Sequence, residues 1–169
     1  MKIAIKYGLI YSGINILWNL VMYITELNRT ENARIYQSLG LVFMITCIVM
    51  AINEYKKSEG NGFVDFGAAF KQGLVITAIS GIIGALYFVV YIKYIDPSYN
   101  DFILQQQVDK FAEMGMSEAD IEKAVAQTAK FLTPFWMFTF GILGSLFFGS
   151  VISLIIAAIM KKPNPNEIA

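Results

Sequence analysis

The chain has 169 residues, of which 56% are hydrophobic and 15% are charged, whereas ordinary soluble domains carry about 25% charged residues. Lysine and arginine together number 13, as do aspartate and glutamate, so no net charge favours a nucleic-acid partner. The absence of histidine removes the commonest metal ligand and general base, and the single cysteine, Cys47, excludes an intrachain disulfide framework. We therefore expect neither a cofactor nor a bound metal.

Four long apolar blocks predict four transmembrane helices, at about residues 7–25, 35–53, 72–95 and 134–160. At about 1.5 Å of rise per residue, roughly 20 helical residues cross a hydrocarbon core about 30 Å thick. The alternative, a soluble helical bundle, would need a polar stripe along each helix, and none of the blocks has one. The predicted fold class is therefore all-α: a polytopic membrane protein with a single membrane domain over residues 1–169.

The first block carries two amides near mid-span, Asn15 and Asn19, one helical turn apart. Amides at that depth should face protein or water rather than lipid. Two interpretations remain open. The pair could line a small binding site, or it could form hydrogen bonds between helices, for which Ser12, Thr46 and Thr77 are candidate partners.

The long connection over residues 96–131 predicts two amphipathic helices arranged as a hairpin. Asp96 is predicted to cap the first helix, with Pro97 at its first position, and Gly115 to end it. Ser117 is predicted to cap the second helix. The hairpin could act as a lid over a substrate site or pack as a purely structural element, and structural packing is the favoured interpretation.

Small residues recur at every fourth position in the third and fourth blocks. The third block has Ala69, Gly73, Thr77, Gly81 and Ala85, and the fourth has Gly141, Ser145, Gly149, Ser153 and Ala157. Apolar burial gives helices little reason to associate in lipid, so close backbone approach through small residues supplies the attraction. Gly73, Gly81, Gly141 and Gly149 are therefore candidate helix-packing residues. The two stripes are predicted to pack against each other, with a homodimer seam as the alternative.

The positions of the lysines predict the orientation of the chain. An even number of spans puts both termini on one side of the membrane. Lys-Lys pairs at 56–57 and 161–162 lie directly at helix ends on that side, whereas Lys110 and Lys123 of the opposite side lie inside a long loop, where the positive-inside rule weakens. We therefore expect both termini in the cytoplasm and the 96–131 hairpin outside it.

The residue types that the apolar blocks lack argue against several classes of function. The membrane-embedded parts of the blocks carry no ionisable residue, which argues against a proton-coupled exporter. A hydrolase would need a nucleophile with an activating base, and no in-span residue can serve as that base. We expect a protein that is not an enzyme, with no catalytic residues, that is structural or accessory and self-associates through the stripes within membrane lipid. The alternative is a small-molecule or lipid-binding membrane protein or transporter, with a site near Asn15 and Asn19.

Several segments follow one another in a familiar order. The sequence "KIAIKYGLIYSGINIL" opens the first span, "GFVDFGAAFKQGL" leads into the third, "YIDPSY" precedes the acidic loop, and the Gly-rich fourth span ends at "KKPNP". Over nearly its whole length the chain resembles the bacterial membrane protein family known as domain of unknown function forty-one ninety-nine. The resemblance implies four transmembrane helices in the bacterial cytoplasmic membrane, and it implies no activity and no catalytic residues.

Overall fold

The structure, a computed structural model, describes residues 1–164, and these residues are largely helical. They form the helices α1 (Lys2–Ile24), α2 (Ala33–Ser58), α3 (Phe66–Val90), α4 (Tyr99–Glu113), α5 (Glu118–Phe131) and α6 (Pro134–Met160). A 3-10 turn at Leu27–Arg29 lies between α1 and α2, and a π-helical turn at Tyr91–Ile95 extends α3. Within the described residues, four helices are long and apolar enough to cross a membrane: α1, α2, α3 with its extension, and α6. The prediction of an all-helical protein with four helices long and apolar enough to cross a membrane is thereby confirmed.

The helices extend past the apolar blocks at several ends. α1 begins at Lys2 and α3 begins at Phe66, in both cases before the apolar block begins. At the start of α3 the Asp65 carboxylate accepts a hydrogen bond of 2.9 Å from the amide of Ala68, and so satisfies one of the amides that a helix start leaves unpaired. α6 begins at Pro134 as predicted, since a first-turn proline lacks only a donor that the helix does not use.

Two compact units make up the described chain. The large unit comprises residues 1–84 together with the described residues from Ile142 onward, and the small unit comprises residues 85–141. In the large unit the most buried apolar side chains lie near the start of α1, the end of α2, the start of α3 and the end of α6. They include Ala4, Ile48, Ala51, Ile52, Ala69, Ile76 and Ala157. The core of the large unit is therefore concentrated where these four helix ends meet.

Contacts of α1 with α2 and α3 hold the first half of the large unit together. The Lys6 ammonium donates to the Glu54 carboxylate at 2.6 Å, and the Tyr7 hydroxyl donates to the same carboxylate at 2.9 Å. Further along α1, the Trp18 indole donates to the carbonyl of Tyr36 at 3.0 Å. Gly8 lies so close to α3 that a Cβ atom there would be 3.1 Å from the Cβ of Ile79. α1 is thereby tied to both of its neighbours.

The small unit contains α4 and α5, which contact each other. The turn after α4 includes Gly115 with a φ of 75°, a left-handed conformation that favours glycine. Ser117 caps α5, as predicted, because its hydroxyl oxygen accepts from the amide of Asp120 at 3.3 Å. The same hydroxyl donates to the Asp120 carboxylate at 2.7 Å. The Ser117 hydroxyl thus stabilises the start of α5 both as an acceptor and as a donor of a hydrogen bond.

The predicted start of α4 was wrong. α4 begins at Tyr99 with Ser98 at the N-cap position, so Asp96 is not its cap and Pro97 is not its first residue. The Asp96 carboxylate instead accepts from the Ser98 hydroxyl at 2.7 Å and from the Tyr91 hydroxyl at 3.2 Å. Because Asp96 is turned back toward the end of α3, it is only 3% exposed and closes the π-helical turn rather than opening a helix.

Candidate functional site

The small-residue stripes of α3 and α6 face each other within the large unit. A Cβ atom built at Gly81 would lie 2.8 Å from the Cβ of Ser145, and one built at Gly149 would lie 2.5 Å from the Cβ of Thr77. Cβ atoms in proteins essentially never approach within 3.0 Å. At these crossings the two backbones therefore lie as close together as they do because one partner has no side chain.

Gly73 completes this seam, and a polar group strengthens it. A Cβ atom at Gly73 would lie 2.6 Å from the Cβ of Ser153, which is fully buried. The Ser145 hydroxyl crosses the seam and donates to the backbone carbonyl of Thr77 at 3.1 Å. A hydrogen bond between helices adds to van der Waals packing in lipid, where no water competes for the carbonyl. We call this contact the α3–α6 seam, defined by Gly73, Thr77, Gly81, Ser145, Gly149 and Ser153.

Gly141 differs from the other three candidate glycines. It lies in the small unit, where a Cβ atom would be 3.4 Å from the Cβ of Ala85. That separation is an ordinary van der Waals contact, so an alanine fits at this position. Of the four glycines singled out in the sequence, Gly73, Gly81 and Gly149 stand where the absence of a side chain is required, and Gly141 does not.

Asn15 and Asn19 lie half-buried on α1. The Asn15 amide donates to the Tyr11 hydroxyl at 3.0 Å, on the same helix. It also faces α2, because a Cβ atom at Gly40 would lie 3.3 Å from the Asn15 amide nitrogen. Asn15 thus occupies the α1–α2 contact, with an intrahelical partner in place of the interhelical partners that the sequence proposed.

The hydroxyls proposed as partners of the two amides donate elsewhere. Ser12 donates to the carbonyl of Gly8 at 2.7 Å, Thr46 donates to that of Val42 at 2.8 Å, and Thr77 donates to that of Leu74 at 3.0 Å. Each bond stays within its own helix, which is the usual way for a serine or threonine to satisfy its hydroxyl where water is scarce.

A cavity of about 170 Å³ lies in the large unit at the start of α1, the end of α2 and the first turns of α3. Its lining includes Ala4, Tyr55, Glu59, Ala68, Lys71 and Gln72. We call it the Gln72 cavity. Neither Asn15 nor Asn19 lines it, so the polar site suggested for those amides and this cavity are different places.

Gln72 is the polar residue of the cavity that is most deeply buried. Its side chain is 4% exposed, and its carbonyl oxygen has no hydrogen-bond partner among residues 1–164. An acceptor in this state is costly, by about 1–3 kcal/mol. Glu59 and Lys71 bring a carboxylate and an ammonium to the same cavity. In the sequence the only signal for this site is a glutamine at the first residue of the third apolar block, a position that by itself indicates the edge of a span.

The small unit holds a buried carboxylate among aromatic rings. The rings of Phe88 and Tyr91 both meet the ring of Tyr99 edge-on, with centroids 5.8 and 5.6 Å apart. Burial raises the pKa of the Tyr99 hydroxyl above its ordinary value, and the nearby Asp96 carboxylate raises it further. Because the rings pack on one another, we interpret this cluster as a structural packing contact at the end of α3.

Residues 1–164 contain no group of three or more His, Cys, Asp or Glu side chains placed to hold a metal ion.

Comparison with curated proteins and with solved structures finds no match. A family model described as "Protein of unknown function (DUF4199)" matches residues 6–162. This match covers all four spans and nearly the whole chain, which therefore belongs to that family of proteins of unknown function.

Proposed function

We propose that this protein is a non-enzymatic accessory protein of the bacterial cytoplasmic membrane, which works as a self-contained helical bundle. The observation that carries the proposal is the α3–α6 seam: the residues best suited to join two chains are already used to join two helices of one chain. Self-association stays a prediction, and it would have to use a surface other than this seam. The assignment as a non-enzyme rests on the sequence, which offers no base to activate an in-span nucleophile.

The orientation in the membrane belongs to the same proposal. Both termini are placed in the cytoplasm and α4 and α5 outside it, because the Lys-Lys pairs at 56–57 and 161–162 adjoin the spans. Attaching a reporter that is active only in the periplasm after residue 115, and in a second fusion at the C-terminus, tests this. Activity in the first fusion alone is expected, and activity in the second alone would reverse the topology.

Disulfide cross-linking separates an intrachain seam from a homodimer seam. Ala85 and Gly141 suit the test, because a Cβ atom at Gly141 would lie 3.4 Å from that of Ala85, close to the separation of about 3.5–4.5 Å that a disulfide requires. In a Cys47→Ala background, the double variant Ala85→Cys with Gly141→Cys should oxidise to a monomer that migrates faster in a gel.

The matched control co-expresses the two single-cysteine variants with different tags. If α3 and α6 pair within one chain, the two tags remain uncoupled after oxidation. A mixed-tag dimer with a high yield, together with no cross-linked monomer in the double variant, would show that the stripes join two copies and would contradict the proposal.

A second candidate function, a membrane protein that binds a small molecule or lipid, is favoured by the Gln72 cavity. The cavity combines a buried acceptor that lacks a partner with charged groups of both signs at the end of the helices. Native mass spectrometry of the intact chain released from gentle detergent tests it. A specific lipid or metabolite retained on a monomer supports binding, and a bare chain under all conditions contradicts it.

A further inference from the structure

The Gln72 cavity has features that specify the chemistry of a ligand. Gln72 is the first residue of the third apolar block, and Glu59 follows directly after α2 ends. The cavity therefore lies at the boundary between the apolar spans and the polar segments that connect them. In a bilayer this boundary is the depth of the lipid headgroups.

The buried amide sets the first requirement. The Gln72 oxygen is an acceptor, so a group that satisfies it must donate a hydrogen bond. The side chains named in the lining leave this oxygen unpaired, although Gln72 is shielded almost completely from solvent. Buried polar atoms in proteins are nearly always paired, and an exception points to a missing partner such as a ligand or an ordered water.

The charges set the second requirement. Glu59 and Lys71 both line the cavity, and neither forms an ion pair with any residue in the described part of the chain. Lys6 and Glu54, by contrast, neutralise each other across α1 and α2. A ligand that carries a cationic donor and an anion would therefore meet both unpaired charges, the cation at Glu59 and Gln72 and the anion at Lys71.

The volume sets the third requirement. The cavity measures about 170 Å³, whereas sites for drug-sized ligands measure about 300–1,000 Å³. At about 30 Å³ per water molecule, the space holds a group of well under a dozen heavy atoms. This suits a lipid headgroup with its acyl chains outside the cavity, or a free metabolite of the same size.

We propose that the Gln72 cavity binds a small zwitterionic group in which a primary ammonium lies next to a phosphate. The ammonium donates to Gln72 and Glu59, and the phosphate accepts from Lys71. This inference rests on the second candidate function and gives it a ligand class. The headgroup of phosphatidylethanolamine and free phosphoethanolamine share this chemistry. Their choline counterparts, which have a quaternary ammonium without N–H groups, do not.

The experiment titrates the full-length protein in detergent with phosphatidylethanolamine or with phosphatidylcholine of identical acyl chains, and counts bound lipids by native mass spectrometry. Phosphoethanolamine and phosphocholine are the soluble pair, measured by calorimetry. The ammonium compounds should bind at least about tenfold more tightly than the choline compounds, since only they supply the donor hydrogen bonds. Preference for the lipid alone identifies a headgroup site, and preference for the soluble compound identifies a metabolite site.

Variants locate the site. Gln72→Met keeps the length of the side chain and removes the acceptor, so it should abolish the preference for the ammonium compounds. Gln107→Met in α4 is the matched control, because Gln107 also has a buried, unpaired carbonyl oxygen but does not line this cavity. Lys71→Ala, at an exposed position, should weaken binding of both lipids while leaving the buried amide of Gln72 in place.

The outcomes separate this inference from the function on which it rests. Equal binding of the ethanolamine and choline compounds, or an undiminished preference in Gln72→Met, overturns the inference while leaving a binding protein in place. The same holds if Gln107→Met abolishes the preference and Gln72→Met does not. If neither the ethanolamine nor the choline compounds bind, the inference fails, and the second candidate function fails with it only if the chain released from gentle detergent also carries no other lipid or metabolite.

Discussion

Replacing Gly149 by alanine tests the crossing of the α3–α6 seam at which a new Cβ atom would lie nearest to another Cβ atom. The new Cβ would lie 2.5 Å from both the Cβ and the Cγ2 of Thr77 and 2.9 Å from its hydroxyl oxygen. All three distances are shorter than carbon and oxygen atoms tolerate, and the Thr77 Cβ is fixed to the α3 backbone. The two helices must therefore move apart along the seam, and the Ser145 bond to the Thr77 carbonyl must lengthen with them.

The matched control is Gly144→Ala on the same helix, where a Cβ atom would have no neighbour within 4 Å. Both substitutions change helix propensity equally, by up to about 1 kcal/mol in favour of alanine, so this contribution cancels in the comparison. Overpacking a tight contact costs about 1–3 kcal/mol. We therefore expect Gly149→Ala to be less stable than Gly144→Ala by about 1–3 kcal/mol.

Reversible unfolding in mixed micelles, followed by circular dichroism as the fraction of denaturing detergent rises, measures this difference. A compensating pair adds a second readout: Thr77→Gly should recover part of the stability lost in Gly149→Ala, because it removes the three atoms that clash, and contacting residues couple. Equal stability of the two alanine variants, or no recovery in the double variant, would refute the assignment of Gly149 to the seam.

Three further predictions concern other contacts. Ser117→Ala should destabilise α5 by about 1 kcal/mol and speed amide exchange in its first turn, and unchanged exchange would contradict the cap. Lys6→Glu and Glu54→Lys should each lower the melting temperature in detergent, because each variant places like charges together. The double swap should restore the melting temperature. If the double swap fails to restore it both without and with added salt, the ion pair does not stabilise the protein. Asp96→Ala should increase amide exchange in the π-helical turn, since the Tyr91 and Ser98 hydroxyls both lose their acceptor, and protection equal to the wild-type level would show that the carboxylate does not hold this turn.

The sequence alone predicted those features that depend on neighbouring residues. The four spans follow from the length of the apolar blocks, because a helix is the way in which a continuous chain satisfies its backbone hydrogen bonds in lipid. The cap at Ser117 follows from the residues of one turn. The fourfold spacing of Gly73, Gly81 and Gly149 likewise indicated a stripe on one helix face, since residues four apart lie above one another.

The register and rotation of the helices decided which residues of different helices meet, and neither is encoded within a single segment. The spacing predicted a role in helix packing for both Gly141 and Gly149, yet only Gly149 meets a side chain that leaves no room for a Cβ atom. Asp96 has the local signature of a cap, but its carboxylate faces the end of α3, where it accepts a hydrogen bond from the hydroxyl of Tyr91.

Gln72 shows most clearly what tertiary structure adds. In the sequence it is one polar residue at the border of an apolar block. Its burial, the missing partner of its oxygen and the approach of Glu59 from the end of α2 arise only when separate helices pack side by side. Local pattern determined that the chain has four helices long and apolar enough to cross a membrane, and the packing of helices distant in sequence determined where the Gln72 cavity lies, because a cavity is bounded by residues that the sequence holds apart.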